Sequence, residues 1–226
     1  MNDPYVYSSG VLKNKLNIKS YDELNKAEAD IGFVKLINID SVNVDFFDEN
    51  LLKKIHKHIF EDIFDWAGEY RTVPLIKEEL VLPGCSIQYT TPSKIEKDLK
   101  EKIRHLNSYA WQNMDSYRIS IIFAREIALL WRVHPFRDGN TRTMLSFAYL
   151  YAKEHGFPFD IESFTDELNR KYVDGRVSKY SIRDKFVLAC LNEEDYPEVE
   201  HLAKVFENAI NKYKENHKKT GKKANK

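Results

Sequence analysis

The sequence predicts a mainly α-helical protein, a single helical domain that carries one small β-hairpin. Three observations predict it. Apolar residues recur at helical spacing in several separate segments. Only one stretch, residues 70–89, alternates as strands do, and it holds Pro83-Gly84 as a turn signal. A chain of 226 residues, 42% hydrophobic and 31% charged, suits one soluble core built without disulfides.

The elements follow in chain order. Ser20 is a plausible N-cap, and Leu24, Ala27 and Ile31 share a helical face after it. Residues 48–66 place Leu52, Ile55, Ile59 and Ile63 at helical spacing, and Gly68 ends that segment. Residues 70–89 hold Val73, Leu75, Val81, Leu82, Ile87 and Tyr89; a lone hairpin is marginal in water, so this one is expected to lie against the helices. Ser93 opens a helix with Ile95, Leu99, Ile103 and Leu106 on one side. Asp115 or Ser116 opens a long apolar helix through Ile119, Phe123, Ile127 and Leu130. After an interruption at 134–140, a further helix runs through Leu145, Phe147, Ala148 and Tyr151 to Gly156. Residues 198–213 form a last amphipathic helix through Val199, Leu202, Phe206 and Ile210.

The folded domain is expected to span residues 1–211. Residues 212–226 carry seven lysines and one glutamate and read as a solvated, frayed basic tail. The formal net charge of zero gives no argument for nucleic acid. No apolar run approaches the roughly 18 residues that a membrane helix needs. Residues 1–7 lack the apolar core of a signal peptide. A cytoplasmic protein is expected, or an effector exported without an ordinary signal peptide. Cys85 and Cys190 read as reduced thiols, with a single bridge as the alternative. His56 and His58 stand two apart on a helix, do not share a face, and read as surface or boundary residues. Trp66, Trp111 and Trp131 read as core.

The chemistry concentrates in His134-Pro135-Phe136-Arg137-Asp138-Gly139-Asn140-Thr141-Arg142, between two strongly apolar helices. Pro135 disfavours the α conformation at His134, so the first helix should stop there. Gly139 allows a tight turn, and Asn140 is a good N-cap for the next helix. A loop that feeds a helix start is an anion site, because free N–H groups and the helix dipole converge there. Arg142 in the first turn is poorly placed for the dipole and makes sense if a phosphate receives it. Asp138 would repel a phosphate directly but could hold a Mg²⁺ that bridges phosphate oxygens. His134 can accept a proton near neutral pH.

These nine residues resemble the signature of the Fic family, His-x-Phe-x-(Asp/Glu)-Gly-Asn-(Gly/Lys)-Arg, at eight of nine positions, Thr141 being the variant. The run Phe64-Asp65-Trp66-Ala67-Gly68-Glu69-Tyr70-Arg71-Thr72 and the Thr90-Thr91-Pro92 after the hairpin resemble the family's flanks of its flap. In coarse layout the similarity covers residues 7–206. The resemblance implies a helical Fic-type domain with a β-hairpin flap over the active site. It implies transfer of AMP from ATP to a Ser, Thr or Tyr hydroxyl of a target protein. On this sequence His134 would deprotonate the hydroxyl, Phe136 would anchor the loop, and Asp138 would bind Mg²⁺. Gly139, Asn140 and Thr141 would cradle the α- and β-phosphates, and Arg142 would hold the β-phosphate, with Arg137 in the same nucleotide-binding set. The flap edge at Leu75, Ile76 and Lys77 would pair with an extended segment of the target.

Two departures from the family pattern stand out. A second arginine, three positions after the first, contacts the γ-phosphate in many members; here Leu145 stands there and reads as core. The family's restraining helix carries Ser/Thr-x-x-x-Glu-Gly/Asn. The stretch Ala203-Lys204-Val205-Phe206-Glu207-Asn208 keeps the Glu-Asn without the Ser/Thr, and no match is evident near the N-terminus. Glu207 reads as an exposed surface residue, and a separate antitoxin-like protein could supply the restraint. Transfer of another nucleotide or of a phosphate, and a binding module without turnover, stand as the alternative functions.

Overall fold

In a computed structural model the described residues are 3–161 and 180–223, apart from 78, 83 and 85, with side chains through 218. Among them the fold has seven α-helices and almost no strand, with an isolated antiparallel bridge between Val6 and Leu12. The helices are α1 (Tyr21–Ile37), α2 (Glu49–Phe60), α3 (Ile95–Leu106), α4 (Ser116–Val133), α5 (Asn140–Glu154), α6 (Ile182–Ala189) and α7 (Glu200–Lys223). The apolar α4 is the hub: it packs against α3, α5, α6 and α7, while α2 joins α1 and α5. Burying α4 on several sides at once explains why its sequence is apolar on more than one face.

Local chemistry accounts for the helix limits. The Asp48 carboxylate accepts the N–H groups of Asn50 and Leu51 and starts α2. Asp115 accepts Arg118 N–H and starts α4, one of the two starts expected. The stripe Ile95, Leu99, Ile103 and Leu106 is buried as its spacing predicts. The α2 helix stops at Phe60, short of the expected 66, and Ile63 and Phe64 enter the core from the turns that follow. The short α6, fastened by a reciprocal capping box between Ser181 and Asp184, has no counterpart among the expected elements. The α7 helix continues through Lys223, beyond the boundary expected at 211, and Lys214 donates to Ser116 Oγ.

The first helix corrects the expected stripe. Its buried face is Leu24, Glu28, Gly32 and Leu36, not Leu24, Ala27 and Ile31. A glutamate and a glycine occupy core-facing turns, so the apolar pattern alone shifts the stripe by one residue. Residues 70–89 leave the helical body and return to it around a turn closed by Leu82 N–H on Glu79 O. No strand ladder forms in this flap among the described residues. Trp111 and Trp131 are core, and Cys190 is a free buried thiol, pushed up to about 12 by burial. Cys85 lies outside the described residues.

Candidate active site at the start of the fifth helix

The α4 helix ends where Pro135 requires, and His134 closes it in the left-handed conformation at φ 51°. That conformation is uncommon for a residue with a side chain. It is held from outside: Arg71 donates through Nε to His134 O at 2.8 Å, and Arg71 N–H donates to Pro135 O at 2.9 Å. The same guanidinium also bonds Val73 O and Thr90 O, so one buried arginine ties both feet of the flap to the loop.

The loop itself is fastened from within. Asn140 Oδ1 accepts Phe136 N–H and its Nδ2 donates to Phe136 O, each at 2.9 Å. Gly139, at φ 72°, is therefore the N-cap of α5, and Asn140 is its first helical residue rather than the cap. The Asn140 amide is spent on the loop; only its backbone N–H stays available to a phosphate. Gly139 is sterically required, since a Cβ there would lie 2.3 Å from the Phe60 ring. Phe136 is fully buried and stacks on His56, with ring centroids 3.9 Å apart.

His56 corrects its expected place at the surface. It is fully buried, accepts Gly68 N–H at Nδ1 (2.8 Å), and lies 3.1 Å from Asp138 O through Nε2. With Nδ1 accepting, Nε2 carries the proton and donates. Burial pushes its pKa down to about 3, so the ring stays neutral. His58 sits at the boundary, its Nε2 2.9 Å from Lys35 O.

A cavity of about 330 Å³ opens at this helix start, walled by His134, Asp138, residues 139–142, Lys77, Arg183 and the α1 residues Glu28 and Gly32. That volume falls in the range of small-ligand sites. The His134 ring is 1% exposed and stacks on Tyr89 at 4.1 Å, yet neither ring nitrogen has a hydrogen-bond partner. Buried polar atoms are nearly always paired, so two orphan nitrogens on a cavity wall mark a place for a ligand. Burial, then the charges of Lys77 and Arg183, hold the imidazole well below its ordinary pKa. It is therefore a neutral base near pH 7.

The remaining expected residues divide. Asp138 lines the cavity and accepts Gly139 N–H at 2.7 Å. Thr141 lines it too, its hydroxyl accepting the Trp131 indole N–H at 3.0 Å. Arg142 lines it but is engaged: its guanidinium donates to Glu28 Oε2 at 2.5 Å and lies over the Phe60 ring. Arg137, expected with the phosphate ligands, is off the cavity wall and forms a two-point pair with Asp3 at 3.0 and 2.7 Å. Leu145 is 1% exposed in the core, as its position in the apolar period predicts. Glu207, expected as an exposed residue, is half-buried on α7 and pairs with its neighbour Lys204. On the flap, Leu75 packs against the core, Ile76 is 88% exposed, and Lys77 turns into the cavity.

Sequence reasoning missed Glu28, His56, Arg71 and Arg183 as site residues. Glu28 is 6% exposed on the buried face of α1, and burial raises its pKa, with the nearby Arg142 charge opposing. Arg183, in the first turn of α6, clasps the flap: it donates to both Glu79 oxygens and to Tyr89 Oη. Tyr89 donates in turn to Glu79 at 2.6 Å, so flap, α6 and the His134 stack form one network. An acidic residue at helical spacing on α1 was the available signal for Glu28, and the family-like run at 64–72 was the signal for Arg71; His56 and Arg183 carry none.

Fold and site define a helical domain with a cavity at a loop between two buried helices. Residues 46–152 match the model of the Fic/DOC family, so the chain carries a Fic/DOC domain over that span. It is similar to the protein adenylyltransferase VbhT of Bartonella schoenbuchensis, 29% identical over 163 residues, covering 70% of this chain and 32% of that protein. The chain thus spans about a third of that relative's length. It is also similar to y4lH of Sinorhizobium fredii, named a probable protein adenylyltransferase, 25% identical over 189 residues, covering 79% of this chain and 88% of that one. Among solved structures it shares its fold with the BepC effector protein of Bartonella tribocorum with bound AMPPNP: TM-score 0.70, 22% identity, 91% of this chain and 95% of that chain. No helix among the described residues is long and apolar enough to cross a membrane.

Proposed function

We propose that the protein transfers AMP from ATP to a Ser, Thr or Tyr hydroxyl of a target protein, with His134 as the general base. The observation that carries this reading is the pair of unpartnered His134 nitrogens on the wall of a cavity that also contains the start of α5. Names of similar proteins add support, since two of them are called adenylyltransferases and one neighbour was crystallised with an ATP analogue.

In this mechanism the backbone N–H groups of Asn140, Thr141 and Arg142, which have no partner within the helix, receive the phosphates. Arg142 leaves Glu28 and takes the β-phosphate. The target oxygen attacks the α-phosphorus as its proton passes to a ring nitrogen of His134. The bond from that phosphorus to the oxygen bridging to the β-phosphate breaks, and pyrophosphate leaves with that electron pair. Catalysis rests on positioning and charge neutralisation. The exposed Ile76 and Leu80 of the flap, the latter 90% exposed, offer apolar contacts for an extended target segment.

Mg²⁺ fits the residues present. One Asp138 oxygen takes Gly139 N–H and the other remains for a cation, while no three acidic, His or Cys side chains gather into a metal site among the described residues. A single carboxylate suits an ion that keeps most of its water and is otherwise held by substrate phosphates. When bound, it would neutralise phosphate charge. For control, Glu28 offers a restraint on Arg142 from within the chain, beside that of an antitoxin-like partner. Incubation with α-³²P- or γ-³²P-ATP tests the reading: label from the α position alone supports it, and label from the γ position means a kinase. No label from either overturns it in favour of a binding module.

A further inference from the structure

Three cationic side chains line the cavity: Arg142, Arg183 and Lys77. Two of them are already neutralised. Arg142 is held by Glu28 and Arg183 by Glu79. Lys77 is different. Among the described residues its ammonium has no hydrogen bond and no ion pair, although Asp138 stands close enough to act on it through space. It is half-buried under the flap, and burial holds it below the usual lysine range. A desolvated cation without a partner is costly unless a ligand supplies the anion. Its wall faces the α5 start, so an anion seated on those N–H groups lies between helix and lysine. Leu145, meanwhile, is sealed in the core and contributes no charge there.

We propose that Lys77 binds the polyphosphate of the nucleotide from the flap side. This rests on the nucleotide-binding reading above. The flap then serves two purposes, receiving the target and completing the phosphate site.

The test measures ATP and adenosine affinity by calorimetry for the wild type, Lys77→Met and Lys77→Arg, with melting curves for each. Among the described residues Lys77 has no hydrogen bond or ion pair to lose, so neither variant should melt below the wild type. Lys77→Met should weaken ATP about tenfold and leave adenosine unchanged, and Lys77→Arg should recover most of the loss. Three results overturn the proposal: ATP affinity of Lys77→Met within twofold of wild type, equal loss for ATP and adenosine, or a wild type that binds no ATP. A wild type that shows the expected binding pattern but transfers no α-label would sink the transferase reading and leave the role of Lys77 standing.

Discussion

The loop at 134–142 and the flap at 70–89 face each other across the cavity and are built in opposite ways. Several polar groups of the loop backbone are tied to side chains: His134 O to Arg71, both Phe136 groups to Asn140, and Asp138 O to His56. The flap is held at its feet by Arg71 and clasped near its turn by Arg183 on Glu79. Between those points it leaves Ile76 exposed and Lys77 without a partner. The loop must place an imidazole and a row of N–H groups to within fractions of an ångström, so it is over-determined. On the proposed function the flap must receive a target segment, and it is fixed at a few points only.

Variants can break this contrast, beginning on the loop side. His134→Ala should lower α-label transfer by about 10²- to 10⁴-fold with little change in melting temperature, measured in the ³²P assay. Gly139→Ala places a methyl group against Phe60 and forces left-handed backbone, so it should cost about 1–3 kcal/mol in chemical denaturation and displace the anion site. Removing the Arg71 guanidinium as Met leaves three carbonyl groups without their donor; a similar loss of about 1–3 kcal/mol is expected, with proteolysis appearing in the flap.

The buried histidines make the rigid side sensitive to pH. The folded pKa of His56 is about 3, below its unfolded value near 6.5, so below pH 6.5 the unfolded chain binds more protons. Stability is thus lost as pH falls; at pH 5 His56 alone should remove about 2 kcal/mol relative to pH 7, read from urea midpoints. His134 adds in the same direction. The smallest effect belongs to α1: Glu28→Ala frees Arg142 and should tighten ATP binding about tenfold, measured by calorimetry.

Much of the rigid region was legible in the sequence because its signals are local. Pro135 stops a helix, Gly139 permits a turn, and the order of residues from His134 to Arg142 is specific. The α3 stripe was equally plain, because four apolar residues fall on one face. What stayed hidden consists of polar side chains in buried places. Glu28 meets Arg142 across 114 positions and Arg183 meets Glu79 across 104, and no periodicity records such pairs. His56 looked ordinary because its role lies in backbone groups of other segments. The α6 helix, eight residues long, is too short for a period to register. The flap shows alternation in its sequence without a ladder among the described residues.

The Glu28–Arg142 pair has a consequence for selectivity. On the proposed function an arriving phosphate does not fill a vacancy; it trades places with a resident carboxylate. A small anion that only replaces one negative charge by another gains almost nothing from that exchange. A ligand profits when it also gathers the N–H groups of α5, so the cavity rewards reach across several contacts over charge alone. Because one anion departs as another enters, affinity should vary with ionic strength less steeply than an uncovered arginine would make it.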